Sequence, residues 1–251
     1  MRELRGFYAG MLVGGAVLLT AGCNEHRDTG AVTSKTDGAT TSAPASETME
    51  HKELALVRAV NAIPGGGVTI WAGDSVAFQS VAYKKATGYQ EIPGDRFDFQ
   101  LKASKDADAL AHNREKLKDG GHYTIVAMPD EGGADKRNLR VLDDDLKPVS
   151  PDKARVRFIN GVPSDTDVDV YIHGQKDAMF DGVNFKTEAG WDEVDPAAGT
   201  LEVRPDNKSN VLASLANVKL EGGQSYTFVM SGTSGKYELT RIEDTVAKEA
   251  N

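Results

Sequence analysis

The chain has 251 residues, 39% of them hydrophobic and 27% charged, with a formal net charge of −9 and a pI near 5.1. That length accommodates one or two domains, and the acidic balance argues against the basic face that nucleic-acid binding requires. A single cysteine, Cys23, rules out an internal disulfide and a CxxC metal or redox pair, so folding must rest on hydrophobic burial.

Residues 1–22 open with Arg2 and Arg5 and continue into an apolar run from Met11 to Leu19. The run is shorter than the roughly 20 residues that cross a bilayer core and has the proportions of a signal-peptide h-region. Leu19-Thr20-Ala21-Gly22-Cys23 resembles the bacterial lipobox, with Thr20 a less usual residue at its position. The resemblance implies cleavage before Cys23, whose thiol would carry a thioether-linked diacylglycerol as the membrane anchor. Asn24 after the cysteine implies an outer-membrane address if the cell has two membranes. Residues 23–52 then form the anchor cysteine and a tether rich in Thr, Ser, Ala and Gly, which cannot bury enough apolar surface to offset its ordering entropy. As a flexible coil of about 29 residues it would span on the order of 30 Å.

Beyond the tether the chain repeats itself. Val57–Pro64 (VRAVNAIP) matches Val156–Pro163 (VRFINGVP), and VTIWAG from Val68 matches VDVYIHG from Val168. Tyr83–Ile92 matches Phe185–Val194, aligning Gly88 with Gly190 and Tyr89 with Trp191. Leu117–Val126 matches Leu220–Val229, and RVLDD (Arg140–Asp144) is aligned with RIEDT (Arg241–Thr245). A period near 100 residues is that of a duplicated domain, longer than any solenoid unit.

Within each copy the apolar residues alternate, as in half-buried strands. Val156, Phe158 and Asn160 share one face and Arg155, Arg157 and Ile159 the other; Val168, Val170 and Ile172 point inward, with Asp169, Tyr171 and His173 outward. Gly, Pro, Asn and Asp punctuate the runs, giving about seven strands per copy, as in a sandwich. Leu117-x-x-Gly120-x-x-Tyr123 recurs as Leu220-x-x-Gly223-x-x-Tyr226, and resembles the tyrosine corner of Greek-key sandwiches. Lys105–Lys116 reads as strand or irregular chain. The strand pattern, the Gly-Trp or Gly-Tyr step and the GGxxYT motif together resemble the bacterial family called domain of unknown function 4397, over residues 54–145 and 154–245. That resemblance implies exported β-sandwiches and transfers no functional residue.

Residues with chemical potential are few. Asp165, Asp167 and Asp169 have the spacing of Ca²⁺ ligands, but the sixth position, where an EF-hand loop needs Gly, is Val170; turn formation is the expected role. Asp143-Asp144-Asp145 reads as solvated chain entering a linker. The five histidines show no metal-pair spacing, and no GxSxG, SxxK or phosphate-cradling loop occurs within either repeat. Trp71 and Tyr171, equivalent in the two copies and outward by alternation, form a candidate binding surface, with packing under a loop or between copies as the alternative; Tyr89 and Trp191 read as core or sheet-covering.

The expected architecture is all-β: two tandem immunoglobulin-like (Greek-key) β-sandwich domains after a signal peptide and disordered tether. Its bounds are 1–22 signal peptide, 23–52 lipidated Cys23 and tether, 53–145 first repeat, 146–153 linker and 154–247 second repeat. The expected function is a non-enzymatic structural or binding module of the cell envelope, held to the membrane at Cys23, without metal, cofactor or nucleic acid. Its expected partner is an envelope protein or a glycan such as peptidoglycan met by the outward aromatics; a hydrolase with dispersed residues is the third class.

Overall fold

The computed structural model describes residues 54–94, 96–133, 135–163 and 167–244. Cys23, the tether and Asp165 lie outside these residues. The first repeat contains β1 (Leu54–Asn61), β2 (Val68–Ala72), β3 (Ser75–Val81), β4 (Gln90–Pro93), β5 (Arg96–Leu101), β6 (Ala111–Lys116), β7 (His122–Pro129) and β8 (Arg137–Asp143). The second contains β9 (Ala154–Asn160), β10 (Val168–Ile172), β11 (Phe180–Val183), β12 (Glu188–Val194), β13 (Ala197–Pro205), β14 (Ala213–Leu220), β15 (Ser225–Thr233) and β16 (Lys236–Glu243). Among the described residues each copy thus has eight strands rather than about seven, and the second half of Lys105–Lys116 is strand β6.

Each repeat is a sandwich of two four-stranded sheets. The first pairs a β4-β1-β7-β8 sheet with β3-β2-β5-β6; the second pairs β12-β9-β15-β16 with β11-β10-β13-β14. The neighbours are antiparallel except β1 with β7 and β9 with β15, which run parallel. The alternation seen in the sequence fills the two cores. Val57, Ala59, Ile70, Phe78, Phe99 and Ile125 pack inside the first, and Val156, Phe158, Val168, Val170, Leu201 and Phe228 inside the second. Both tyrosine corners form. The Tyr123 hydroxyl accepts the Lys118 amide at 2.9 Å and the Tyr226 hydroxyl the Glu221 amide at 3.1 Å, each five residues upstream.

The outward faces depart from the half-buried expectation. All seven residues of β9 are buried, Arg155, Arg157 and Ile159 included. The reason is a third apolar cluster between the repeats, made by Val60, Ala62, Val126, Met128 and Leu142 of the first and Ile159, Val229 and Ile242 of the second. The β1/β7 sheet of one sandwich covers the β9/β15 sheet of the other, so these central strands have no solvent side.

Strands β1 and β9 both start at the corner end of their sandwich. Leu54 donates to Asp119 Oδ1 at 3.0 Å and accepts from the Gly120 amide at 2.8 Å. At the opposite end, turns of both repeats border a cleft of about 400 Å³ whose lining includes Ile63, Pro64, Pro129, Pro163 and Thr233. The linker returns to the corner end of the second repeat, where the Gly223 amide donates to Ser150 O and Lys153 O at 3.1 and 2.8 Å.

Candidate functional site

The densest grouping of ionisable side chains lies between the repeats. Arg58 on β1 stands beside Thr124 on β7, and Arg157 on β9 beside Thr227 on β15, at matching positions of the two parallel pairs. Each Arg Nε donates to the Thr hydroxyl of its own repeat, at 2.8 and 2.9 Å. Each Nη2 then crosses the interface, Arg58 to Asp244 Oδ1 and Arg157 to Asp144 Oδ1. The threonines donate onward to the aspartate of their own repeat, Thr124 to Asp144 at 2.6 Å and Thr227 to Asp244 at 2.7 Å. A threonine hydroxyl has one proton to give and lone pairs to receive, so it serves as the relay. The result is two Arg–Thr–Asp sets with exchanged partners.

All four charged side chains are nearly inaccessible to water. Burial alone would lower the Arg58 pKa, but Asp244 and Asp144 more than offset it and hold the guanidinium charged. Aromatic rings close the cluster laterally. Arg58 lies 5.0 Å from the Tyr89 ring centre and Arg157 4.4 Å from that of Trp191. The Tyr89 hydroxyl donates to Asp144 Oδ2 at 2.6 Å, and burial followed by the charge of Asp144 raises its pKa far above the usual phenol range. The Trp191 Nε1 donor, at the equivalent position, is buried without a hydrogen-bond partner. Glu188 flanks the group 3.4 Å from Arg157 Nη1, and its pKa is raised chiefly by burial.

This corrects two sequence expectations. Asp144 is a sealed member of the cluster instead of solvated chain entering the linker. The alignment of RVLDD with RIEDT is also displaced by one residue. Asp144 donates its amide to His122 O and Asp244 to Ser225 O, so Asp144 corresponds to Asp244 and Leu142 to Ile242. The shared arginine misled the alignment: Arg140 pairs with Val126 and Arg241 with Phe228, so the two stand one residue apart in register.

The outward aromatics are each covered by a cation. Trp71 points away from its core as alternation requires, yet is only 9% exposed. The Lys102 ammonium sits 4.9 Å from its ring centre, and Trp71 Nε1 donates to Lys102 O at 3.2 Å. Tyr171 is half-buried, with Arg204 at 4.4 Å over its ring. Arg204 is itself held by Glu202, whose other oxygen meets His173 Nδ1 at 2.6 Å. The two aromatics stand on separate sandwiches and are not brought together into one surface.

Asp169, outward by alternation, is nevertheless buried. Its ligand atoms lie within 4.8 Å of those of Asp181 and Asp206, a different trio from the sequence run 165, 167, 169. Asp169 accepts the amides of Gly182 and Asn207 at 3.0 and 3.1 Å, and its charge raises the pKa of exposed Asp181. In the first repeat Thr69 accepts the Ser80 amide at 3.3 Å, and Ser80 shares with Gly182 a positive φ (51° and 62°). The same turn is therefore held by a hydroxyl in one copy and a carboxylate in the other, which makes Asp169 a turn-fixing residue. Three carboxylates also fall short of the six to eight oxygens that Ca²⁺ takes.

The family model described as "Domain of unknown function (DUF4397)" matches residues 55–171 and 156–251. The first match runs past the structural boundary at residues 144–154 into the opening strands of the second repeat, as expected where VRFINGVP repeats VRAVNAIP. A search of curated proteins finds no match to the chain.

Proposed function

Because the chain belongs to the DUF4397 family, through two copies of the domain, we propose that it is a lipid-anchored, non-enzymatic binding or structural module of the bacterial envelope. The observation that carries this reading is the use of the buried charges. Arg58, Arg157, Asp144 and Asp244 neutralise one another across the repeat interface, so the densest charged group among the described residues is used in joining the sandwiches. They fix two sandwiches as one presenting body. Anchoring rests on the Cys23 lipobox, and Asn24 favours the outer membrane of a two-membrane cell. The test is replacement of Cys23 by Ser with labelled palmitate and membrane fractionation. Loss of label and release from the membrane are expected; label retained at another site would overturn anchoring at Cys23. Crosslinking in the native envelope should then capture a protein or glycan partner without turnover of it.

A glycan-binding reading rests on Tyr171, the more exposed of the two outward aromatics. Tyr171→Ala should then reduce cell-wall pull-down, with Trp71→Ala much less harmful because that ring is the more buried of the two.

A further inference from the structure

We infer that the outward faces of β1/β7 and β9/β15 are recognition surfaces whose partner is another repeat of this family, and that they hold the repeats together without the linker, in trans as well as in cis. This goes beyond the anchoring and binding reading and does not depend on it. Three observations carry it.

The first is the reciprocity of the contacts. Each face presents an Arg on its first strand, a Thr beside it and an Asp just past its last strand. Each Arg takes the Asp of the opposite face. The same group thus meets the same group in both directions, the pattern of an isologous two-fold interface. Apolar residues obey it too, with Val60 and Val126 on one side answered by Ile159 and Val229 on the other.

The second is what a lone face would expose. Without its partner, the first repeat would present Val60, Val126, Met128 and Leu142 as one patch, together with an Asp144 deprived of Arg157. A patch of that kind marks an interaction surface, and removing one member of a buried pair is strongly unfavourable. The third is the linker's own bonding. Residues 147–153 are held by the second repeat, through Arg155 Nη1 to Lys147 O at 3.1 Å, Lys153 Nζ to Asp195 at 2.7 Å and Gly223 to Ser150 O. The hydrogen bonds of Arg58, Arg157, Asp144 and Asp244 go to residues outside 147–153.

The test keeps the full chain and inserts a site-specific protease sequence after exposed Lys147. After cleavage at micromolar concentration, the halves should elute together at the mass of the uncut protein. Mixing cut protein with an isotopically heavy copy should give mixed-mass pairs in native mass spectrometry. Arg157→Ala should weaken the association of the halves at least a hundredfold. If that variant does not fold before cleavage, as judged by circular dichroism, Thr124→Val is used in its place and should weaken it at least fivefold. Separation of the wild-type halves on cleavage, an absence of mixed-mass pairs, or variant halves that hold as tightly as wild type would each overturn the inference.

Discussion

At the residue scale, the cluster is a case where removal and presence have unequal energies. A buried ion pair adds little net stability over apolar packing, because desolvation offsets attraction, but deletion of one member leaves an uncompensated charge and costs about 3–5 kcal/mol. Asp144→Ala leaves Arg157 with only the longer, partly exposed contact to Glu188 and takes their acceptor from Thr124 and Tyr89. Urea denaturation should show a loss in that range. Glu188 behaves oppositely. Its folded pKa is raised, so the stability it contributes is fully present below the ordinary glutamate pKa and is lost as pH rises through the raised value. Glu188→Gln should therefore stabilise the protein at neutral pH, by less than about 1 kcal/mol for a partly exposed group, and flatten the change in stability between pH 7 and 5; denaturation midpoints at those pH values check it. Alternation placed Arg157 correctly away from its core, but period-two patterning cannot distinguish water from a second protein layer. The clue available was the recurrence of Arg and Thr at the same outward positions of VRAVN and VRFIN and of YTIV and YTFV, which solvation alone does not demand.

At the element scale, the linker is fitted against a turn. A Cβ at Gly222 would come within 1.8 Å of Pro151 O, whereas one at Gly190 would meet nothing within 4 Å. Gly222→Ala should cost about 1–3 kcal/mol, as overpacking does, and should expose residues 147–153 to proteolysis; Gly190→Ala should leave both unchanged. Equal resistance of the two variants to limited proteolysis would refute the clamp. The tyrosine corner was legible because a fixed spacing, Leu-x-x-Gly-x-x-Tyr, encodes a local hydrogen bond. The parallel pairing of β1 with β7 was not, since its residues are separated by some 66 positions in Arg58–Thr124 and no turn chemistry joins them. The register of β8 against β16 was misjudged for a related reason. Sequence similarity followed Arg140 and Arg241, while the structure holds Asp144 and Asp244 in common.

At the scale of the whole molecule, the two sandwiches share a third apolar cluster as well as the charges, so neither should unfold independently. Scanning calorimetry should show one transition whose calorimetric and van't Hoff enthalpies agree, and Arg157→Ala should divide it into two. Duplication was plain in the sequence, yet the packing of the copies was not, because repeat matching reports likeness of the units and is silent on which faces meet.

The direction in which β1 and β9 run carries a last consequence. Leu54, the first described residue, stands at the corner end. At the opposite pole Pro64, Pro129, Pro163 and Thr233 converge from both repeats. A visitor settling there would straddle the seam between the copies and feel any slip along it. The shape of that cleft therefore depends on the two repeats keeping their register across the seam.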